Sequence, residues 1–429
     1  MLPSYPAYAI LCVLAAARYE TPIFLQRSLT SCVILSSPFM WPGDSNEMPS
    51  KRQIFKALWI GMIVSVLVIG LASSVFLPVN GVRASGARKI TCGQAPSSLA
   101  DYERWFGSEH AHTGMDGDDG AAGSTAAQAF AYAKNLPHLD YFIITPHVHQ
   151  SRSGMATLWS EATYDLIRAS AISATTSSFV AIAGQEVSTI SSGGHWSLFN
   201  ANDMVGADHP DGDWNDADDY YDHVAGLGVN GEVIAAQFDH PQSGDFGNRY
   251  DAGAAPYFGT FAVSSGPATA TTAEFVNDGS NSSYQTRWAN FLNMGWKLSP
   301  AADQDNHGAT WGASSSEYTV IVRPHGTTLN AGNVIHGLSD HMTYATEDAN
   351  MQIGFTANGW SMGQTVGGAA NIALTIWWNN PSNTLYNNNT GVTATESAND
   401  AIGNIWIYKN SFNSPVATYT PTPSAARGT

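Results

Sequence analysis

The sequence predicts an α/β fold in which strands and helices alternate around a parallel sheet, followed by a smaller all-β region. Between about Ser97 and Asp340, short apolar runs alternate with stretches of helical period, as expected of βα units. After Thr346 the strand-like runs are separated by Asn, Gly, Ser and Pro, which favours antiparallel strands. The 429 residues suffice for a barrel of roughly 250 residues plus a further domain.

The elements of the first region follow from these two periods. The predicted strands are Tyr141–Thr145, Phe179–Ala183, Trp196–Phe199, Val233–Phe238, Ala273–Val276 and Leu298–Ala302. The predicted helices between them are Thr125–Lys134, Leu158–Ala174, Tyr284–Asn293 and Gly332–Ser339. In the second region the predicted strands are Met351–Phe355, Ile372–Trp378 and Ile402–Tyr408, and they predict a small antiparallel β-sandwich.

The N-terminal part of the chain has the pattern of an export signal. Lys51 and Arg52 precede an apolar run, Ala57–Leu77, which is followed by small residues up to Ala84. Cleavage near Ala84 is the favoured outcome, but the run is long enough to remain as a membrane anchor. Met48 is the hypothetical start of the signal. We therefore expect a secreted, cell-surface or periplasmic protein.

The predicted domain organisation has five parts. They are a leader that precedes the hypothetical start at Met48 (1–47), a signal peptide or anchor (48–84), a domain of alternating strands and helices (85–345), a C-terminal β-sandwich (346–412) and a Thr/Pro-rich tail (413–429).

Composition excludes several functions. The formal net charge is −17, and such a surface repels polyanions, so no nucleic-acid partner is expected. The three cysteines form no CxxC pair, which argues against thiolate metal sites and a disulfide framework.

Ionisable residues follow the predicted strands. His147, Glu186, His240 and the pair Asp305 and His307 lie at or just beyond strand ends. In parallel βα folds active sites are built at the carboxyl ends of the strands. Their placement therefore predicts a shared site.

The strongest local motif is Ser108-Glu-His-Ala-His-Thr113. His110 and His112 are two residues apart on an extended segment, so both side chains project to one side and can share a metal ion. Zinc, manganese and iron accept imidazole nitrogens readily. Further motifs follow: an Asp/Gly turn at 116–120, Thr145-Pro-His147, Gly184-Gln-Glu186, Gly194-His195, Asp239-His-Pro241 and Asp303-Gln-Asp-Asn-His307.

In chain order these motifs resemble the PHP (polymerase and histidinol phosphatase) family, and most closely its exported CehA/McbA-like metallohydrolases, over roughly residues 104–348. The resemblance implies a distorted (β/α)7 barrel that binds up to three metal ions and hydrolyses phosphoesters. The first ion would be held by His110, His112, Glu186 and Asp305. The second would be held by Glu186, His195 and His240. The third would be held by His147, His307 and an aspartate of the turn.

Two departures from the family pattern affect details. The turn leaves the third aspartate open between Asp119, which precedes Gly120, and Asp116. Pro146 stands where many members have an aspartate. The expected catalytic residues are Glu186, His240 and His307. Arg249 and His341 are weaker candidates for contacting substrate, because a cation near the site would help to bind phosphate.

The resulting functional prediction is an exported, metal-dependent phosphoesterase acting on phosphomonoesters or small phosphodiesters. The alternative is a non-catalytic, metal-stabilised cell-surface or assembly-forming protein, which Pro146 and the Asn/Thr-rich surface motivate. The expected partner is a small phosphorylated substrate. Self-association remains open, and membrane contact is expected through an uncleaved anchor alone.

Overall fold

The computed structural model describes the backbone of 8–11 and 14–18 and most of residues 97–428. Between 97 and 428 its gaps are 116–119, 136–138, 150–159, 189–193, 205–223, 225–226, 228–231, 242–271, 278–281, 294–295, 316, 349, 365, 367–370, 381–383, 388–392, 396–403, 410–411 and 421–426. The predicted signal or anchor (48–84) therefore lies outside the described residues, as do Asp116, Asp119 and Arg249. No helix among the described residues has both the length and the apolar character needed to cross a bilayer.

The largest sheet contains ten strands. They are β3 (Tyr102–Ser108), β4 (Tyr141–Ile144), β5 (His147–His149), β6 (Val180–Ser188), β7 (His195–Phe199), β8 (Ala235–Asp239), β9 (Thr272–Asn277), β10 (Ser299–Asp303), β11 (Tyr318–Pro324) and β12 (Thr343–Thr346). The helices of this region are α1 (Ala126–Asn135), α2 (Glu161–Ala174), α3 (Ser282–Asn293) and α4 (Ala331–Ser339), with a 3₁₀ turn at Leu99–Asp101. The predicted helices and strands of this region are confirmed to within a few residues.

The sheet is mixed, so the prediction of a parallel sheet is wrong in part. The strand order is β10-β9-β8-β7-β6-β4-β3-β11-β12, with β5 beside β6. Strands β3, β4, β6, β8, β9 and β10 point the same way, whereas β7 and β11 are antiparallel to their neighbours. Six residues separate β6 from β7. A parallel crossover needs about a dozen residues, so this short link forces β7 to run back.

The sheet curls until its first and last strands meet. In β10, Ala302 N donates to Thr319 Oγ1 of β11 at 2.9 Å, and Pro300 O accepts from Thr343 Oγ1 of β12 at 2.8 Å. The α/β class is thus confirmed, and the curled sheet is consistent with a distorted barrel rather than a regular seven-fold repeat. We call the end formed by the carboxyl ends of β3, β4, β6, β8 and β10 the mouth, and the opposite end the base.

Helix α4 closes the base. Its residues Val334, Ile335 and Leu338 are fully buried and pack against residues from six strands, including Trp105 and Ile321. The approach is close, since a Cβ added at Gly337 would lie 2.2 Å from Ile321 Cγ2. Helices α1 and α2 instead cover the outer face of β4 and β6. The base therefore has a dense apolar core.

Further sheets follow the barrel. Their strands are β13 (Gln352–Ala357), β14 (Trp360–Ser361), β15 (Leu374–Asn379), β16 (Thr384–Asn387), β17 (Thr393–Thr395), β18 (Ile405–Tyr408), β19 (Ala417–Tyr419) and β20 (Arg427–Gly428), with β1 (Tyr8–Leu11) and β2 (Leu14–Arg18) joining β18. The three predicted C-terminal strands are confirmed as β13, β15 and β18. Ile353, Phe355 and Trp378 share a core with Val320 and Tyr344 of the barrel. The domain boundaries and the β-sandwich stay predictions.

Candidate metal centre

Eight ionisable side chains gather at the mouth. Each lies in a strand or just beyond its end: His110 and His112 follow β3, His147 begins β5, Glu186 lies near the carboxyl end of β6, His195 begins β7, His240 follows β8, and Asp305 and His307 follow β10. Because β7 is antiparallel, its first residue lies at the same end as the carboxyl ends of β6 and β8. Strand direction therefore brings His195 to the mouth.

The segment that carries His110 and His112 is held on both sides by backbone hydrogen bonds. His112 N donates to Asn306 O at 3.0 Å, and Thr145 N donates to Ala111 O at 2.9 Å. Trp311 Nε1 donates to His112 O at 2.7 Å. These bonds extend β3 by four residues, so the two imidazoles project from one face of an extended chain.

Two of the eight residues have a left-handed backbone. His240 has φ 28° and Asp305 has φ 41°. Non-glycine residues adopt this region at a cost of about 1–3 kcal/mol, and such residues cluster at functional sites. Here the two residues lie just beyond the carboxyl ends of β8 and β10, at the mouth.

Four ligand atoms of the cluster lie close to one another. His110 Nε2 and His112 Nε2 are 3.2 Å apart, and each is 3.2 Å from Glu186 Oε2. Asp305 Oδ1 is 3.1 Å from His112 Nε2 and 3.3 Å from His110 Nε2. A tetrahedral zinc site with ligand bonds of 2.0–2.2 Å has edges of about 3.4 Å. The donor atoms of His110, His112 and Glu186 therefore have the spacing of three ligands of one divalent cation, and Asp305 lies beside the two histidines. The resemblance assigns these four residues to the first ion.

Glu186 presents its second oxygen to a different pair of histidines. Glu186 Oε1 contacts His195 Nδ1 and lies 3.3 Å from His240 Nε2. A carboxylate whose two oxygens face separate imidazole groups can bridge two cations. A bridging Glu186 requires these contacts, and the second ligand set of Glu186, His195 and His240 stays a prediction.

The third expected ligand set is partly visible. His147 Nδ1 lies 3.0 Å from Glu186 Oε2, and the His307 ring stacks on His112 with centroids 4.1 Å apart. Ligand atoms of His112, His147 and His307 all lie within 4.8 Å of one another. Asp119 and Asp116 fall outside the described residues, so the choice between them stays open.

The histidines keep the acids of the mouth ionised. Burial by itself raises the pKa of the Glu186 carboxyl, but His147, His110 and His195 outweigh it and hold that pKa well below its usual range. Burial likewise raises the pKa of Asp305, whereas His110 and the hydrogen bond from His112 lower it further than burial raises it. Ionised carboxylates and neutral imidazoles are the forms that bind metal ions.

The cluster is closed below and open above. The side chains of His110, His112 and Glu186 are 0% exposed, whereas those of His195 and His307 are 33% and 38% exposed. His240 is 20% exposed. A ligand set that is covered below and accessible above leaves room for water or substrate, which structural zinc sites do not.

The structure does not bring His341 to the mouth. It lies between α4 and the amino end of β12, where Thr343 pairs with Ile321 and Ile321 pairs with Trp105. That is the base, so the expectation of a substrate contact is wrong for His341. Arg323 lies at the same end and pairs with Asp340 at 2.6 Å. The antiparallel direction of β11 carries Arg323 away from the mouth.

Sequence analysis missed a layer of buried acids beneath the cluster. Glu109 Oε1 lies 2.5 Å from Tyr141 Oη, which is 3.0 Å from Thr319 O. Tyr141 has one hydroxyl proton for these two acceptors. If Glu109 is protonated, it can donate to Tyr141 Oη, and the Tyr141 hydroxyl can then donate to Thr319 O. Burial and the nearby Asp303 carboxyl raise the pKa of Glu109 well above its usual range, in agreement. The sequence signal was present, since Glu109, Asp239 and Asp303 lie inside the motifs.

No protein family model matches the chain, and no curated protein matches it. One similar solved structure is a two-domain protein from Bacteroides vulgatus containing a predicted PHP-like metal-dependent phosphoesterase, with 14% identity over 59% of this chain and 67% of that one, at a TM-score of 0.39. Another is PsfC from Pseudomonas syringae, with 11% identity over 57% of this chain and 91% of that one, at a TM-score of 0.36. Similarity at this level is too low to transfer a fold or function. What the chain itself shows is a cluster of His, Glu and Asp side chains that could hold metal ions.

Proposed function

We propose that this protein is a metal-dependent hydrolase of phosphoester bonds, acting on phosphomonoesters or small phosphodiesters. The observation that carries the proposal is Glu186, whose two oxygens face two separate groups of histidines in a centre that is open above. We propose up to three divalent ions of zinc, manganese or iron, held by the ligand sets described above, with Asp119 completing the third. The motif series that resembles the PHP family supports the phosphoester substrate.

Bound divalent ions would supply an activated water molecule and neutralise phosphate oxygens. The residues of the chain would bind the ions and orient the substrate. Glu186 holds the two ligand groups at a set separation. His307 Nδ1 donates to Asp305 O at 2.8 Å, which leaves its Nε2 as the nitrogen with a lone pair. His240 and His307 are accessible at the mouth, and we assign to them, as metal ligands, contact with the bound substrate.

The open mouth supports the enzyme over the non-catalytic alternative. A metal kept for stability alone is usually enclosed by four protein ligands. Pro146, which motivates the alternative, keeps a role in the centre, since Glu186 N donates to Pro146 O at 2.9 Å. With proline at position 146 the centre lacks a carboxylate, but the backbone hydrogen bond from Glu186 N to Pro146 O, which orients Glu186, is kept.

The decisive experiment uses the full chain loaded in turn with zinc, manganese and iron, assayed with p-nitrophenyl phosphate and bis(p-nitrophenyl) phosphate. We expect turnover of at least one ester and a loss on the order of 1,000-fold in Glu186→Gln, because that amide cannot bridge two cations. The matched control is His341→Ala, at the base, which should retain wild-type turnover. Metal-loaded protein that cleaves neither ester would show the proposal to be wrong.

Export to the cell surface or periplasm is also proposed, on the sequence pattern before Ala84 alone. N-terminal sequencing of protein recovered outside the cytoplasm would test it. A new N-terminus near Ser85 is expected from cleavage, and an intact apolar segment from anchoring. Peptides from the first forty residues would contradict a start at Met48.

A further inference from the structure

A chain of buried hydrogen bonds crosses the barrel directly beneath the metal centre. It joins side chains from four strands, all 0% exposed: Ser108 of β3, Ser197 of β7, Gln237 and Asp239 of β8, and Asp303 of β10. Buried polar groups cost free energy unless they are paired, so a fully connected set constrains the relative positions of its members.

Asp303 is the centre of this chain. Its Oδ1 accepts from Glu109 N at 2.7 Å and from Ser108 Oγ at 3.1 Å. Its Oδ2 accepts from Gln237 Nε2 at 2.9 Å. One carboxylate thereby links β3, β8 and β10. A carboxylate accepts three such hydrogen bonds most strongly when it is ionised.

Gln237 continues the chain to β7. Its Nε2 also donates to Asp239 Oδ1 at 3.0 Å, and Asp239 Oδ2 accepts from Ser197 Oγ at 2.8 Å. Both amide protons of Gln237 are therefore used, one for each carboxylate. The direction of each bond in the chain is determined, because carboxylates accept and the amide nitrogen donates.

Every linked strand supplies candidate ligands within two residues of the chain. His110 follows Glu109, His240 follows Asp239, Asp305 is two residues after Asp303, and His195 is two residues before Ser197. In the sheet, β4, β6 and β7 lie between β3 and β8. The backbone ladder thus relates these ligands through several intervening strands, whereas the buried chain links β3, β8 and β10 across the barrel in one or two bonds.

We propose that Asp303 is a positioning residue for the metal centre. It does not contact the ions but holds β3, β8 and β10 so that His110, His240 and Asp305 converge. The proposal rests on the metal centre described under the proposed function and is independent of the substrate.

The substitution that isolates this role is Asp303→Asn. Asparagine has nearly the same shape, but one oxygen becomes an NH₂ group that must face either Gln237 Nε2 or the Glu109 N–H and Ser108 hydroxyl. A donor then faces a donor, and the strand link breaks without a change in volume. All ligand side chains remain in the protein.

The matched control is Asp140→Asn. Asp140 is a partly buried acid that likewise accepts a backbone N–H of β3, with Phe106 N donating to its Oδ2 at 2.9 Å, but it lies at the amino end of β4 near the base. The same chemical change is thus made to the same strand away from the metal centre. A general loss of packing would affect both variants alike.

The test is a competition titration of full-length protein with a chromophoric chelator, using zinc alone, together with the visible spectrum of the cobalt(II)-loaded protein. We expect Asp303→Asn to weaken zinc binding 10–100-fold, as substitutions behind metal ligands commonly do. Its cobalt bands should shift, whereas Asp140→Asn should keep wild-type affinity and spectrum. Circular dichroism of both metal-free variants would establish that they are folded.

Equal zinc affinity and cobalt spectra in Asp303→Asn and wild type would overturn the proposal, as would equal losses in both variants or wild-type protein that binds no zinc. If Asp303→Asn does not fold, Gln237→Leu, which removes the donor to Asp303, must reproduce the weaker binding. None of these measurements uses turnover. Protein that binds zinc but cleaves no ester would therefore reject the proposed function and leave this inference to be judged by its own data.

Discussion

The mouth and the base of the barrel use the same strands in opposite ways. At the base, Val334, Ile335 and Leu338 of α4 fill the barrel with apolar side chains. At the mouth, Glu186 and Asp305 meet six histidines. Apolar packing stabilises the fold. A cluster of buried histidine nitrogens and carboxylate oxygens instead costs free energy unless a cation or another ligand binds to it. From this difference we predict that the base stabilises the fold and that the mouth binds the ligand.

The largest expected effect is a loss of stability from a substitution at the base that leaves zinc binding at the mouth unchanged. Leu338→Ala removes a fully buried side chain from the base core and should lower the free energy of unfolding by about 2–5 kcal/mol. Because α4 does not contribute ligands, zinc affinity of the folded protein should change less than threefold. Urea unfolding and zinc titration of one preparation would measure both. A loss of zinc affinity alongside the loss of stability would contradict the separation of stability at the base from binding at the mouth.

Metal removal tests whether zinc binding at the mouth stabilises the fold. With free zinc at about 100 times its dissociation constant, the loaded protein should be more stable than the chelated one by about 2.7 kcal/mol. Thermal unfolding with and without chelator would show the difference as a zinc-dependent midpoint. Glu186→Gln should lose most of this dependence. A midpoint that ignores zinc would mean that the mouth does not bind it.

The smallest effect concerns the pH dependence of the base. Burial raises the pKa of Asp140 to about 6, although the hydrogen bond from Phe106 N lowers it. A carboxyl whose folded pKa exceeds its unfolded value of 3.8 stabilises the protein at acidic pH, and this contribution is lost as pH rises through about 6. Asp140→Asn keeps an acceptor for Phe106 N and cannot ionise.

In metal-free protein, Asp140→Asn should therefore gain stability relative to wild type between pH 4 and pH 8, by roughly 1 kcal/mol after allowance for partial exposure. Urea unfolding of both proteins at the two pH values gives the difference directly. A constant difference across this range would show that Asp140 has the same pKa folded and unfolded.

The candidate ligands were predictable from sequence to different degrees. His110 and His112 share an extended segment, and His147, Glu186, His240, Asp305 and His307 follow apolar runs, so their neighbourhood follows from local pattern. The structure gathers all of them, together with His195. Their binding of metal remains a prediction. His341 failed because its placement depends on β11, a strand that the sequence analysis did not include although its run Tyr318–Val322 is apolar.

Secondary structure and ligand type were determined by the sequence alone, because side-chain period and donor chemistry are properties of a few adjacent residues. Tertiary structure decided which way β7 and β11 run, which end of the barrel α4 closes, and that Asp303 joins β3, β8 and β10. Those features depend on contacts between residues as far apart in sequence as Tyr102 and Pro324, and local periodicity contains no information about such pairings.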